Sequence, residues 1–177
     1  MANKQNDIWF EDECHFQQHG TRCRMWVPPE ETDPILLHAP TRKSISLFGA
    51  VCADTGQMLS MTATIFNAET FLSFLKTIVR SKKRGRKIIL ILDNARYHHA
   101  ILIQPWLNKN RENIQLVFLP PYSPDLNNIE RVWKMTRRVC THNKYFSTLD
   151  ELLCVIKKQM EIWKKPNDEL RKLCCII

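Results

Sequence analysis

Asp12, Asp93 and Glu130 each stand in an otherwise apolar or rigid setting: Asp12 in IWFEDE, Asp93 in IILILDNARYH and Glu130 in FLPPYSPDLNNIERVWK. Three carboxylates delivered from three separate segments make the donor set of a metal site. A carboxylate at the end of a buried strand costs on the order of several kcal/mol to desolvate unless a cation or hydrogen bonds compensate it. Hard oxygen ligands select Mg²⁺ or Mn²⁺ over zinc. Two such ions about 4 Å apart stabilise the attacking and leaving oxygens of an in-line displacement at phosphorus.

Each acid alone also has an ordinary reading. Asp93-Asn94 could be a turn after a strand, Glu11-Asp12-Glu13 a solvated strand end, and Glu130 the partner in a helix capping box. Nearby cations change the balance. Lys134, Arg137 and Arg138 follow Glu130 at +4, +7 and +8, so the helix side bearing the acid should continue as a positive stripe. Lys82, Lys83 and Arg84 form a second basic run, which is either a solvated face or a track for a phosphate backbone. Carboxylates beside phosphate-binding cations suit a nuclease or phosphoryl transferase. The nucleophile is then water, which cuts a strand, or a 3′-hydroxyl, which joins two.

The elements that position these residues follow from pattern. Asp7 to Phe16 alternates, so Ile8, Phe10 and Asp12 share one side of a strand while Trp9, Glu11 and Glu13 share the other. Arg22 to Val27 is expected to return as a short strand. Ser44 to Ala53 and Gln57 to Ile65 read as a hairpin around Asp54-Thr55-Gly56. Asn67 is expected to cap a helix that carries Phe71, Phe74, Leu75 and Ile78 at helical spacing. Ile88 to Leu92 is uniformly aliphatic, as in a strand covered on both faces, and Asp93-Asn94 ends it.

Ala100 to Lys109 predicts a helix kinked or split at Pro105, and Gln115 to Leu119 a further strand. Asn127 is expected as an N-cap with Glu130 at the third helical position. A capping box opens a last helix at Thr148. Residues 166 to 177 are expected to fray.

The 177 residues are 44% hydrophobic, enough for one domain with its own core. A net charge of +8 favours polyanionic partners. The seven cysteines are odd in number and lack a C-x-x-C pair, so they read as reduced, buried thiols of a cytoplasmic protein. Cys14, His15, His19 and Cys23 are poorly spaced for zinc. No apolar run is long enough to cross a bilayer.

The flanking words carry a resemblance. PPYSPDLNNIERVWK, FEDE with the later Arg24-Met25-Trp26, and LDNARYH resemble the DDE transposases of the mariner-like superfamily, in particular the bacterial insertion-sequence branch. The likeness runs from Ile8 to about Ile156. It implies an α/β, ribonuclease H-like fold, a five-stranded mixed sheet flanked by helices, with Asp12, Asp93 and Glu130 as the catalytic metal ligands. His98 matches a recurrent histidine, and Asn94 and His98 are the candidate accessory residues.

The implied activity is Mg²⁺-dependent cleavage of DNA at transposon ends and strand transfer into target DNA, by a homodimer or higher assembly near the nucleoid. Such relatives carry N-terminal helix-turn-helix modules, yet few residues precede the first strand here. The expectation is a single catalytic domain over 1–177, as the product of a split reading frame, a cloned domain or a truncated copy, with a separate helix-turn-helix subunit as a candidate partner. Another ribonuclease H-like nuclease, or an inactive DNA-binding or domesticated remnant, are the alternatives. Asn128 stands where the family has proline.

Overall fold

The computed structural model describes residues 6–30, 35, 37, 39–121 and 123–175. Its centre is one sheet of five strands, β1 (Asn6–Gln17), β2 (Ser44–Cys52), β3 (Met58–Ala63), β4 (Lys87–Leu92) and β5 (Ile114–Phe118), in the order β3-β2-β1-β4-β5. The first three strands pair antiparallel, and β4 and β5 continue from β1 in parallel. The mixed sheet therefore has the form expected, with β1 at its middle.

Alternation along β1 divides the interior. Phe10, Cys14 and Phe16 enter one core with α3 (Ile129–Cys140), α4 (Leu149–Trp163) and α5 (Asp168–Cys174). Trp9 enters the other with α1 (Ala68–Arg80). On β4, Ile88, Leu90 and Leu92 fill the α1 side while Ile91 packs on the α3 side, so this aliphatic strand is covered on both faces. Burying each such side chain stabilises the fold by roughly 1.5–3 kcal/mol. Asn67 caps α1 as expected, its side chain accepting from the N–H groups of Glu69 and Thr70 while Thr70 accepts from the Asn67 N–H.

Some local expectations are corrected. Arg22 to Val27 is irregular instead of a strand, since β1 already has β2 and β4 on its two sides; the Asn143 side chain pairs with both backbone groups of Cys23. The segment Ala100–Lys109 is split as expected: a 3₁₀ turn at Ile101–Ile103 precedes α2 (Gln104–Lys109), and Pro105 sits in the first turn of α2, where a missing N–H costs nothing.

The tail is ordered rather than frayed through Asp168–Cys174. Asn167 caps α5, and Leu170 and Cys174 are fully buried. A tertiary contact secures it: the Asn167 N–H bonds the Thr55 carbonyl in the β2–β3 turn. Gly56 in that turn has φ +66°, and a Cβ there would lie 1.9 Å from the Asn167 carbonyl oxygen. All seven cysteines are free, but Cys154 and Cys175 are exposed, against the expectation of uniformly buried thiols. Among the described residues no helix is long and apolar enough to cross a membrane.

Candidate active site

Parallel pairing of β1 with β4 sets Phe10 opposite Ile91, so Asp12 on β1 and Asp93 just past the end of β4 each follow their paired residue by two positions. The chain reaches Glu130 by another route. After a 3₁₀ turn at Pro124–Leu126, Asn128 is the N-cap of α3 and makes no side-chain cap bond. Glu130 therefore occupies the second helical position, not the third, and Asn127 is not its cap. Instead, Asn127 is buried and its Nδ2 donates to the Glu11 backbone oxygen at 2.9 Å. This bond ties the entrance of α3 to the strand carrying Asp12.

The three acids line one open cleft of about 470 Å³, together with Asn94, Asn127 and the proline-rich loop. Asn94 lies at the rim, its side-chain amide donating to the Leu119 carbonyl. Trp133 of α3 donates from Nε1 to Asp12 Oδ2 at 3.1 Å. Burial, then the charges of Glu13 and Glu130, push the Asp12 carboxyl up to about 7. Asp93 is pushed the other way: a hydrogen bond from His98 holds it below its usual range, with the Ala95 N–H at 2.8 Å acting in the same direction.

Behind Asp93, on the α1 side of β1, lies a cluster that the sequence reading did not foresee. His98 is buried, with Nδ1 3.2 Å from Asp93 Oδ1 and Nε2 3.2 Å from Glu13 Oε1. Burial opposes its charge, but the bonds to Asp93 and Glu13 outweigh that effect and raise the imidazole to about 10. Burial also raises the fully buried Glu11 well above the usual carboxylate range. Strand alternation predicted that Glu11 and Glu13 face away from Asp12, but no local pattern marked them as buried.

The cleft suits hard divalent ions. Its described lining offers carboxylate and amide oxygens but no thiol or imidazole, and the buried Asn127 Oδ1 has no hydrogen-bond partner among the described residues. The three carboxylates are spread around the cleft. The one group whose ligand atoms all lie within 4.8 Å among the described residues is Glu11, Glu13 and His98 on the far face. Cys14, His15, His19 and Cys23 form no such group there.

The predicted cations separate in space. Lys134 and Arg138 are exposed on α3. Arg137 is not part of the same stripe: it donates to Cys14 Sγ at 3.0 Å, covers the Phe16 ring and lines a different hollow with His15, His19 and Arg22. Lys82, Lys83 and Arg84 precede β4, whereas Asp93 follows it, so the six-residue strand sets them roughly 20 Å apart. Lys82 Nζ is bonded to the Arg86 carbonyl, and Arg86 pairs with Asp7 at 2.6 Å.

The five-stranded mixed sheet, with acids on β1, after β4 and at the start of α3, has the ribonuclease H-like form expected from the sequence. Comparison with known proteins agrees. Residues 7–153 match the family described as DDE superfamily endonuclease. An uncharacterized protein of Sinorhizobium fredii is 34% identical over 130 residues, 73% of this chain and 90% of that protein. The 39 kDa protein of insertion element IS630 from Shigella sonnei is 30% identical over 115 residues, 65% of this chain but 33% of that protein.

Among solved structures, the Mos1 strand transfer complex superposes with a TM-score of 0.67 at 21% identity, covering 96% of this chain and 51% of that one. The catalytic domain of Mos1 mariner transposase gives 0.60 at 17% identity, covering 94% and 74%. The chain thus spans about half of the Mos1 chain and a third of the insertion-element protein. It belongs to the DDE superfamily endonucleases.

Proposed function

We propose that this chain is the catalytic domain of an insertion-element transposase, which cleaves DNA phosphodiester bonds at element ends and transfers the resulting 3′-hydroxyl into target DNA. The observation that carries this reading is the convergence of Asp12, Asp93 and Glu130 on one open cleft from three different elements. These carboxylates, with the Asn127 carbonyl oxygen at hand, would hold Mg²⁺ or Mn²⁺. Bound there, the ions would activate the attacking oxygen and stabilise the leaving one; acids spread around a cleft suit two ions better than one.

The chain's own groups supply the rest. Trp133 and Asn127 fix the acids to the sheet, and Lys134 and Arg138 offer charge to a phosphate backbone along α3. Likeness to the Mos1 transposase paired-end complex with left transposon end supports a DNA partner; a homodimeric active complex and a helix-turn-helix subunit for end recognition belong to the same proposal. The mariner Mos1 complexes include ones described with Mn and with Mg. A cytoplasmic, nucleoid-associated site of action follows from that substrate.

The test is cleavage and joining of labelled end-containing duplexes, with any end-binding subunit added, by the wild-type and Glu130→Gln proteins in Mg²⁺ or Mn²⁺. Metal-dependent nicking and joining by wild type alone is expected. Near wild-type cleavage by Glu130→Gln would overturn the assignment. Cleavage restricted to RNA hybrids would mark a different nuclease on this scaffold.

A further inference from the structure

Glu11 is fully buried, and neither carboxylate oxygen has a hydrogen-bond partner among the described residues. Glu13, two residues on, shares that face of β1 and is also largely enclosed. A pair of acids in this position needs donors nearby. The group that reaches both is His98, whose Nε2 lies 3.2 Å from Glu13 Oε1 and 3.9 Å from Glu11 Oε2. Tyr97 also donates its hydroxyl to Glu13.

The opposite edge of the ring faces Asp93. His98 Nδ1 lies 3.2 Å from Asp93 Oδ1 and 3.2 Å from the Asp93 backbone oxygen. Contacts with Phe71 and Tyr97, at centroid distances of 4.3 and 4.5 Å, hold the ring plane. The Asp93 backbone oxygen facing Nδ1 can only accept, so that nitrogen serves as a donor. The two donors to the Asp93 carboxylate, His98 Nδ1 and the Ala95 N–H, both address Oδ1, which leaves Oδ2 for the cleft.

From this geometry we infer that His98 is a positioning residue: anchored by Glu13 and Glu11 behind the sheet, it holds Asp93 Oδ1 so that Oδ2 is presented to the cleft. The inference rests on the proposed role of Asp93 as a metal ligand. Sequence placed Asp12 and Glu13 side by side; the sheet gives them different tasks, one in the cleft and one supporting Asp93 through His98. An outer-shell partner of this kind typically changes metal affinity about 10- to 100-fold when removed.

Mn²⁺ titration of the full chain, read by the electron paramagnetic resonance of free Mn²⁺, tests this in wild type, His98→Gln, Asp93→Asn and the double variant. The expected result is affinity about tenfold weaker or more in His98→Gln, with little further loss when His98→Gln is added to Asp93→Asn. Unchanged affinity in His98→Gln, or an equal loss in both backgrounds, would overturn the positioning role while leaving the proposed function intact. No Mn²⁺ binding by wild type would instead defeat the proposed function and this inference with it.

If His98→Gln fails to fold, the wild-type protein still decides. Metal-free protein labelled with ¹⁵N in its histidine rings should show a proton on Nδ1 of His98, the nitrogen that faces Asp93, assigned through its contacts with Phe71 and Tyr97. A bare Nδ1 would overturn the inference. So would stoichiometric Zn²⁺ bound at Nε2 at sub-cleft concentrations, because Glu11, Glu13 and His98 would then be a metal site of their own.

Discussion

Trp133 donates its indole N–H to Asp12 at 3.1 Å, and the same indole packs over Gly49, the residue paired with Asp12 on β2. A Cβ on Gly49 would lie 2.4 Å from the Trp133 ring. The missing side chain on one strand thus makes room for the group that orients the acid on the next. Gly49→Ala should force the ring aside and destabilise the fold by about 1–3 kcal/mol, the usual cost of overpacking. Trp133→Phe should keep most of the packing and weaken Mn²⁺ binding. Urea melts and metal titrations check both; normal Mn²⁺ affinity in Trp133→Phe would deny the indole any role at the site.

Replacing the acids separates fold from chemistry. Glu130 lies in the first turn of α3, where a carboxylate contributes about 0.3–1 kcal/mol through the helix dipole. Glu130→Gln should therefore shift stability by no more than about 1 kcal/mol while stopping cleavage. Asp93→Asn should likewise leave circular dichroism unchanged and abolish turnover. Retained turnover in Asp93→Asn would remove that residue from the site.

The cleft should tie stability to pH. Asp12, raised from its ordinary value to about 7, binds its proton more tightly in the folded state than in the unfolded one. Its contribution in metal-free protein is fully present below about pH 4 and is lost as pH rises through about 7. Divalent metal must displace that proton, so the thermal shift produced by Mg²⁺ or Mn²⁺ should be larger at pH 8 than at pH 5. Asp12→Asn should remove this part of the dependence. An equal metal shift at both pH values would contradict the linkage.

Spatial separation of the cations predicts unequal roles in DNA binding. Lys134 and Arg138 are exposed on the helix that carries Glu130. Their joint replacement by alanine should reduce the slope of log affinity against log salt by about 2, if each neutralises one phosphate. Lys82, Lys83 and Arg84 lie at the other end of β4, and their replacement should leave cleavage-competent binding nearly unchanged. Arg137→Ala should chiefly cost stability, because its guanidinium is engaged with Cys14 and Phe16. A larger slope change from the 82–84 triple variant would move the DNA path to that end of the sheet.

Much of the scaffold was legible because it follows from local pattern. Period-two alternation in Asp7–Phe16 assigned Asp12 to the face of Phe10, and that face is the one α3 covers. The aliphatic run before Asp93 identified a strand covered on both sides, and Asn67 announced its helix through a cap that needs only neighbouring residues. Even the separation of the two aspartates has a structural meaning: Asn6 pairs with Lys87 and Phe10 with Ile91, the same 81-residue offset that separates Asp12 from Asp93.

What tertiary structure decided is where contacts span distant segments. Asn127 looked like a cap but bonds a backbone oxygen 116 positions away, and Trp133, buried in the core, bonds an acid 121 positions away. Arg137 left its expected stripe for Cys14 and Phe16, and the tail became a helix by docking Asn167 on the Thr55 turn. The same closure buried Glu11 and Glu13 around His98. Side-chain direction along a strand or helix is set by backbone period, so sequence reveals it. The partner that a polar group meets depends on which surfaces the closed sheet brings within hydrogen-bond reach, and that exists only once the chain has folded.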